Sequence, residues 1–185
     1  MYEIIEKASY YYEIKNSKFY SFIYNVKSVD DVNNILNDLK EKYKKATHYT
    51  YAYKIDNIIK KDDDNEPSGT AGSPILNIIE KNNLDNVLIV VIRYFGGIKL
   101  GAGGLIRAYS LAAKNVINSE NLRKIEKKEK IEIKTNYKEL DRILSLINKD
   151  NIIDKKFDEN IVLTVSITKK DKEKLIKNNI TFKNL

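Results

Sequence analysis

All seven glycines of this 185-residue chain fall between residues 69 and 104, and both prolines, Pro67 and Pro74, lie in the same region. Glycine serves where the backbone needs positive φ or where another group must come close to the main chain. The unusual backbone chemistry is therefore confined to two segments. The first is Glu66-Pro67-Ser68-Gly69-Thr70-Ala71-Gly72-Ser73-Pro74, and the second runs from Arg93-Tyr94-Phe95-Gly96-Gly97 through Lys99, Gly101, Gly103 and Gly104 to Arg107. Any binding or catalytic site is expected there.

Around these segments the chain alternates strand and helix patterns. Residues 8–14 and 19–26 read as a strand pair with a turn at Asn16-Ser17-Lys18. Ser28 and Asp31 form a capping box for an amphipathic helix over 29–43. Residues 47–55 alternate as a half-buried strand, with Tyr49, Tyr51 and Tyr53 on one side and His48, Thr50 and Ala52 on the other. Residues 56–66 read as a polar loop. Ser73 is expected to cap a short helix with Pro74 in its first position, ending near Asn82. The β-branched run from Val87 to Ile92 is expected to be a central strand covered on both faces. Leu105 to Asn118 carries helical spacing.

Past Asn121 the chain turns strongly charged, and a domain boundary is expected after residue 122. The remainder reads β-α-β-β-α, with room for a last short strand; the strands are expected at 129–135, 152–157 and 161–167 and the helices at 137–149 and from Thr168 to about Asn178. That order suits a ferredoxin-like sandwich. The fold class is thus α+β in two domains, 1–122 and 123–185.

Composition excludes several chemistries. With no cysteine there is no disulfide, thiol catalysis or thiolate metal site, and with one histidine there is no histidine-rich zinc site. No signal peptide or bilayer-spanning run is visible, so a cytoplasmic protein with no membrane partner is expected. The net charge of +7 is uneven. Residues 1–122 hold 16 basic and 15 acidic side chains, and residues 123–185 hold 17 and 11. A basic C-terminal domain could meet nucleic acid or could be an ordinary solvated surface. Arginine occurs only at 93, 107, 123 and 142, so two of the four bracket the second glycine segment.

A buried strand running through glycines into a helix is a recipe for an anion site, because the helix start offers free N–H groups. Arg93, Lys99 and Arg107 add charge. Neither named nucleotide fingerprint fits: Ala102 follows Gly101 where a P-loop has lysine, and Ile106 stands where a dinucleotide fold has glycine. In the first segment Ser68, Thr70 and Ser73 supply hydroxyls and Glu66 a carboxylate. A triad of Ser68 or Ser73 with His48 and Glu66 would require the fold to bring them together. Asp62, Asp63 and Asp64 with Glu66 are either a solvated loop or a magnesium site, and the three tyrosines are either core or a stacking platform.

Asp63-Asp64-Asn65-Glu66-Pro67-Ser68-Gly69-Thr70-Ala71-Gly72 and the run from Val90 to Leu105 resemble the signature of the YigZ/IMPACT family, with Ala46-Thr47-His48 resembling its upstream strand. The resemblance covers about residues 15–120. Asn65 departs from it, standing where the family usually has glycine, and asparagine tolerates the left-handed region. The resemblance implies an N-terminal domain similar to the second domain of a small-subunit ribosomal protein. It also implies a C-terminal domain similar to one of the ribosomal translocase. Eukaryotic relatives are translation regulators that bind a kinase activator, through an extra recognition domain not seen in this chain. Nucleic-acid binding has been suggested for bacterial ones, and a dipeptidase activity has been proposed.

The expectation is a non-enzymatic protein without metal or cofactor that binds RNA or a ribosome-associated partner. Its contacts would be Glu66, Ser68, Gly69, Thr70, Gly72, Ser73, Arg93, Gly96, Gly97, Lys99, Gly101, Gly103, Gly104 and Arg107, with His48 in reach. The alternatives are an enzyme on a small phosphorylated or peptide substrate and a protein-interaction module. The sequence sets no oligomeric state.

Overall fold

The computed structural model describes every residue except 119, 127 and 159. The chain divides into two compact units, Met1–Ile125 and Glu126–Leu185. The division falls three residues beyond the expected boundary because Arg123 and Lys124 pair with the N-terminal strand.

In the first unit the elements run β1 (Tyr2–Ile4), β2 (Ala8–Ile14), β3 (Ser17–Asn25), α1 (Val29–Lys42), β4 (His48–Ile55), β5 (Ile58–Asp62), α2 (Gly72–Lys81), β6 (Val87–Tyr94), α3 (Ala102–Asn115) and β7 (Leu122–Lys124). Five strands form one antiparallel sheet in the order β2-β3-β6-β4-β5, and β1 and β7 form a separate pair. Helix α1 lays Val32, Leu36 and Leu39 on one face of the sheet, against Leu88, Val90, Ile92 and Tyr53. Helices α2 and α3 cover the other face, where Ile75, Ile79, Leu105, Tyr109 and Ala112 meet Phe19, Ile23, Ile89 and Val91. Every residue from Val87 to Ile92 is fully buried, because β6 lies mid-sheet between two layers of helix.

The Ser28–Asp31 capping box starts α1 as expected. The tyrosine side of β4 packs into the core under α1, with Tyr53 buried, so no open stacking platform forms there. Other local readings differ from the structure. The β2–β3 turn is Lys15-Asn16, both at positive φ, as in a two-residue hairpin turn. The loop expected over 56–66 contains β5, paired with β4 along its length. Its side chains are nearly all exposed, so backbone hydrogen bonds hold it and no hydrophobic alternation marks it. Helix α2 starts at Gly72, and neither Ser73 nor Pro74 fills the expected role. Helix α3 starts at Ala102, three residues before its apolar spacing begins.

Gly96 follows β6, and a Cβ there would fall 2.0 Å from the carbonyl carbon of Asn16. That close approach presses the second glycine segment onto the β2–β3 turn and fixes where the chain leaves the sheet.

The second unit runs β8 (Lys128–Thr135), α4 (Tyr137–Leu146), a 3-10 turn (Lys149–Asn151), β9 (Ile152–Phe157), β10 (Ile161–Thr168), α5 (Lys169–Lys177) and β11 (Lys183–Asn184). The sheet order is β11-β8-β10-β9, all antiparallel. Ile143 of α4 and Leu175 of α5 pack on Ile131, Ile133, Leu163 and Val165, so both helices lie on one face. Helix α4 ends at Leu146, and Ile147, though buried, is already extended.

Ile89→Ala is expected to lower unfolding free energy by about 2–5 kcal/mol, because the cavity is enclosed on both faces. Ile58→Ala on the exposed side of β5 is expected to cost less than about 0.5 kcal/mol. Urea unfolding followed by circular dichroism compares them.

Candidate functional site

The two glycine segments meet at the end of the sheet where β6 leaves it, on the side covered by α2 and α3. Antiparallel register sets His48 of β4 directly opposite Arg93 of β6, with Phe19 of β3 on the other flank. Above them sits Glu66, from the segment leading into α2. Its Oε1 accepts from Arg93 Nη1 at 2.6 Å and from the Tyr109 hydroxyl of α3 at 2.7 Å. Arg93 Nη2 donates to Ser17 Oγ at 3.2 Å. The guanidinium also lies 5.5 Å from the Phe19 ring centre and 5.4 Å from that of Phe95, so two aromatic faces clamp it. Glu66 and Arg93 are both buried, with side chains 3% and 5% exposed.

His48 completes the group. Its Nδ1 lies 2.7 Å from the backbone oxygen of Asp64. A carbonyl only accepts, so Nδ1 carries the hydrogen. Nε2 then faces Glu66 Oε1 at 3.7 Å, beyond hydrogen-bond distance. Burial first, then the adjacent Glu66 carboxylate, pushes the Tyr109 hydroxyl far above its ordinary range, so it stays a donor.

Of these, Glu66, Arg93 and His48 line a cleft of about 360 Å³ as its floor. Its walls are Pro67, Phe95, Leu100 and Leu105, and its rim includes Thr47, Lys99 and Gly101. The helix α3 begins at this rim. Gly101 has positive φ and no side-chain cap, and its carbonyl takes the Leu105 amide. The amides of Ala102, Gly103 and Gly104 have no acceptor among the described residues. A neutralised floor, apolar walls and open amides beside a lysine suit a small anion with an apolar portion.

The start of α2 is different, because its free amides are already used. Asp63 Oδ1 accepts from Ala71 and Gly72 at 2.9 and 2.8 Å, and Oδ2 accepts from Gly69 at 2.8 Å. Burial alone would raise this carboxyl, but the donations from Gly69, Gly72 and Ala71 outweigh it and hold the pKa below the ordinary aspartate value. Asp62 accepts from the Asp64 amide and Asp64 from the Tyr49 amide, so the acidic run serves as acceptors for its own backbone. Among the described residues no group of three or more acidic or histidine side chains could hold a metal ion.

Of the expected contacts, Glu66, Arg93, Lys99, Gly101 and His48 line the cleft. Thr70 is buried and donates to the Pro67 carbonyl, and the amides of Gly69 and Gly72 bind Asp63. Ser73 accepts from Lys61, and Ser68 is exposed, so neither serine joins His48 and Glu66 in a triad. The Gly96 amide donates to Ser17, and Gly97 is exposed beside it. Gly103 and Gly104 form the first turn of α3. Arg107 lies in a neighbouring depression of about 260 Å³ with Tyr12, Lys15 and Leu111. Asp63 was read as a loop or magnesium-site residue, and the roles of Tyr109, Ser17 and Phe95 around Arg93 and Glu66 were not read from the sequence. Each acts through a contact distant along the chain, and only the polar atom of Tyr109 on an apolar helix face hinted at a buried partner.

Asp63→Ala is expected to cost about 1–3 kcal/mol at neutral pH. The folded pKa lies below the unfolded one, so the contribution is complete above the unfolded value of about 3.9. It is lost as pH falls through the folded value. Urea unfolding of both proteins across that acid range checks it: the two curves converge on acidification.

The sequence profile of the Impact N-terminal domain family matches residues 15–117. An IMPACT family member of Haemophilus influenzae is 31% identical over 170 residues, covering 85% of this chain and 80% of that protein. The IMPACT family member YvyE of Bacillus subtilis is 44% identical over 108 residues, which is 57% of this chain but only 50% of that relative's length. A crystal structure described only as that of a hypothetical protein superposes with a TM-score of 0.67 at 23% identity, over 100% of this chain and 95% of that one, and so shares the fold. With the family profile matching more than half of its length and a 31% identical relative covered over most of both proteins, the chain belongs to the IMPACT family.

Proposed function

We propose that this chain is a non-enzymatic RNA-binding protein acting at the ribosome in translation control, with the cleft and the second unit as its contact surfaces. The observation that carries this reading is the open start of α3, whose free amides and Lys99 border a cleft with a neutralised floor. The second unit adds support. Cross-strand register puts Lys130, Lys134, Lys156 and Lys183 on the sheet face opposite its helices, with Glu132 and Asp154 as the acidic neighbours there among the described strand residues. Its strand order, with the last strand beside the first, supports the ferredoxin-like reading. The helix–sheet–helix layering of the first unit supports the ribosomal-protein-like reading of the N-terminal domain. Among the described residues no helix is long and apolar enough to cross a membrane.

A second reading is an enzyme on a small phosphorylated or peptide substrate. It is favoured by the approach of His48 Nε2 to Glu66 in a concave site. No hydroxyl is bonded to Nε2, so water would have to be the nucleophile. Loss of measured hydrolysis in His48→Ala would establish it. A third, the interaction module, draws on Phe95 and Ile98, which are both exposed and three residues apart in the second glycine segment.

Fluorescence anisotropy with mixed single-stranded RNA tests the leading reading. Affinity should fall steeply with salt. Replacing Lys130, Lys134 and Lys156 with alanine should reduce the slope of log K against log salt by about 2. Absent binding, or binding indifferent to salt, contradicts it.

A further inference from the structure

The carboxylate at the floor of the cleft is only half used by the fold. Glu66 Oε1 takes two hydrogen bonds, from Arg93 Nη1 and from the Tyr109 hydroxyl. Oε2 takes none from the described residues. The side chain is 3% exposed, yet Oε2 is not among the polar atoms sealed away without a partner, which are Ser21 Oγ and Arg93 Nε. Since Glu66 lines the cleft, Oε2 keeps its surface there. His48 repeats the pattern. Its Nδ1–H is given to the Asp64 carbonyl, so Nε2 of the neutral ring is an acceptor, and it has no donor. It stands 3.7 Å from Glu66 Oε1 with no hydrogen between them. Two acceptors this close in a largely buried site repel, and a donor group entering from the cleft relieves them.

The walls limit the shape of what can supply those donors. Pro67, Leu100 and Leu105 are apolar, and Phe95, 44% exposed, presents a ring backed by the Arg93 guanidinium at 5.4 Å. An aromatic wall above a floor of acceptors suits a flat group with adjacent N–H donors on one edge. Guanine is the nucleobase that carries two adjacent donors, N1–H and the N2 amine, on its Watson–Crick edge. Adenine and cytosine set one amine beside a ring acceptor, which would face the carboxylate oxygen. Uracil has a single N–H between two carbonyls.

We propose that the cleft takes one unpaired guanine base, its N1–H and N2 amine donating to Glu66 Oε2 and His48 Nε2 and its ring against Phe95. A volume of about 360 Å³ is at the small end of ligand sites and holds one base rather than a run of strand. The base belongs to an RNA strand or to a free guanine nucleoside, which present the same edge. The inference rests on the RNA-binding reading and deepens it: phosphate contacts give affinity without sequence, and the floor carboxylate adds a choice of base.

The test is calorimetric titration of the whole chain with nucleosides, which carry no phosphate and so remove charge attraction from the comparison. Guanosine should bind. Inosine, which lacks the N2 amine, should bind about tenfold more weakly or worse, the effect of losing a hydrogen bond to a charged acceptor. N1-methylguanosine and adenosine should be rejected by at least as much. Glu66→Gln breaks the buried pair with Arg93, so the nucleoside series on the unaltered protein carries the test. Phe95→Ala, at an exposed side chain, should weaken guanosine and inosine alike and keep the ratio between them. Absent guanosine binding at millimolar concentration, or equal affinity for guanosine, inosine and adenosine, overturns the proposal. If RNA binds and guanosine does not, the cleft proposal fails while the RNA reading stands. If guanosine binds and RNA does not, the converse holds. Displacement of guanosine by a guanine-containing single strand, and not by the same strand with inosine in place of guanosine, identifies RNA as the source. Displacement by neither strand identifies the free nucleoside, and equal displacement by both overturns the proposal.

Discussion

The buried pairing of Glu66 with Arg93 is the interaction on which the rest of the first unit's architecture depends. One carboxylate oxygen joins three elements that are distant in sequence: the segment before α2, the end of β6 and the middle of α3. A charged pair at this depth is costly to form and costly to break, since removing one partner strands the other away from water. Its value here is positional. With the guanidinium held between Phe19 and Phe95 and bonded to Ser17, the strand end has little freedom, and the glycine segment leaves from a fixed point.

From that fixed point the two glycine segments take opposite roles. In the first, Asp63 occupies the helix start as an internal anion, and the glycines let the backbone fold around it. In the second, no side chain caps the helix, and the same kind of amides stay open beside Lys99. One sequence signature therefore contains a helix start filled by its own carboxylate and a helix start with no side-chain cap. The filled site is part of the fold, and the open one is the candidate for recognition. On the proposed RNA-binding reading the second unit would contribute by a different mechanism, a sheet face bearing several lysines, whose attraction for phosphate is long-ranged and screened by salt.

The parts legible in the sequence were those encoded locally. The Ser28 capping box, the β-branched run of β6 and the alternation in β10 each occupy a few consecutive residues and were placed correctly. The glycine crowding located the cleft, and the family motifs fixed the family. What escaped was carried by backbone or by distant partners. Strand β5 has exposed side chains of mixed character and exists because β4 offers it a hydrogen-bonding edge. Ser73 was the natural local cap for α2, but an aspartate nine residues before Gly72 reaches the amides first. The meeting of His48 with Arg93 follows from strand register, which no single segment encodes.

The most direct measurement is amide NMR of the labelled chain titrated with mixed single-stranded RNA at low salt. The account expects shifts at the backbone amides of Lys99, Gly101 and Ala102, which line the cleft, together with shifts across the lysine-bearing sheet face of the second unit. RNA that binds while the cleft amides stay unchanged would contradict it.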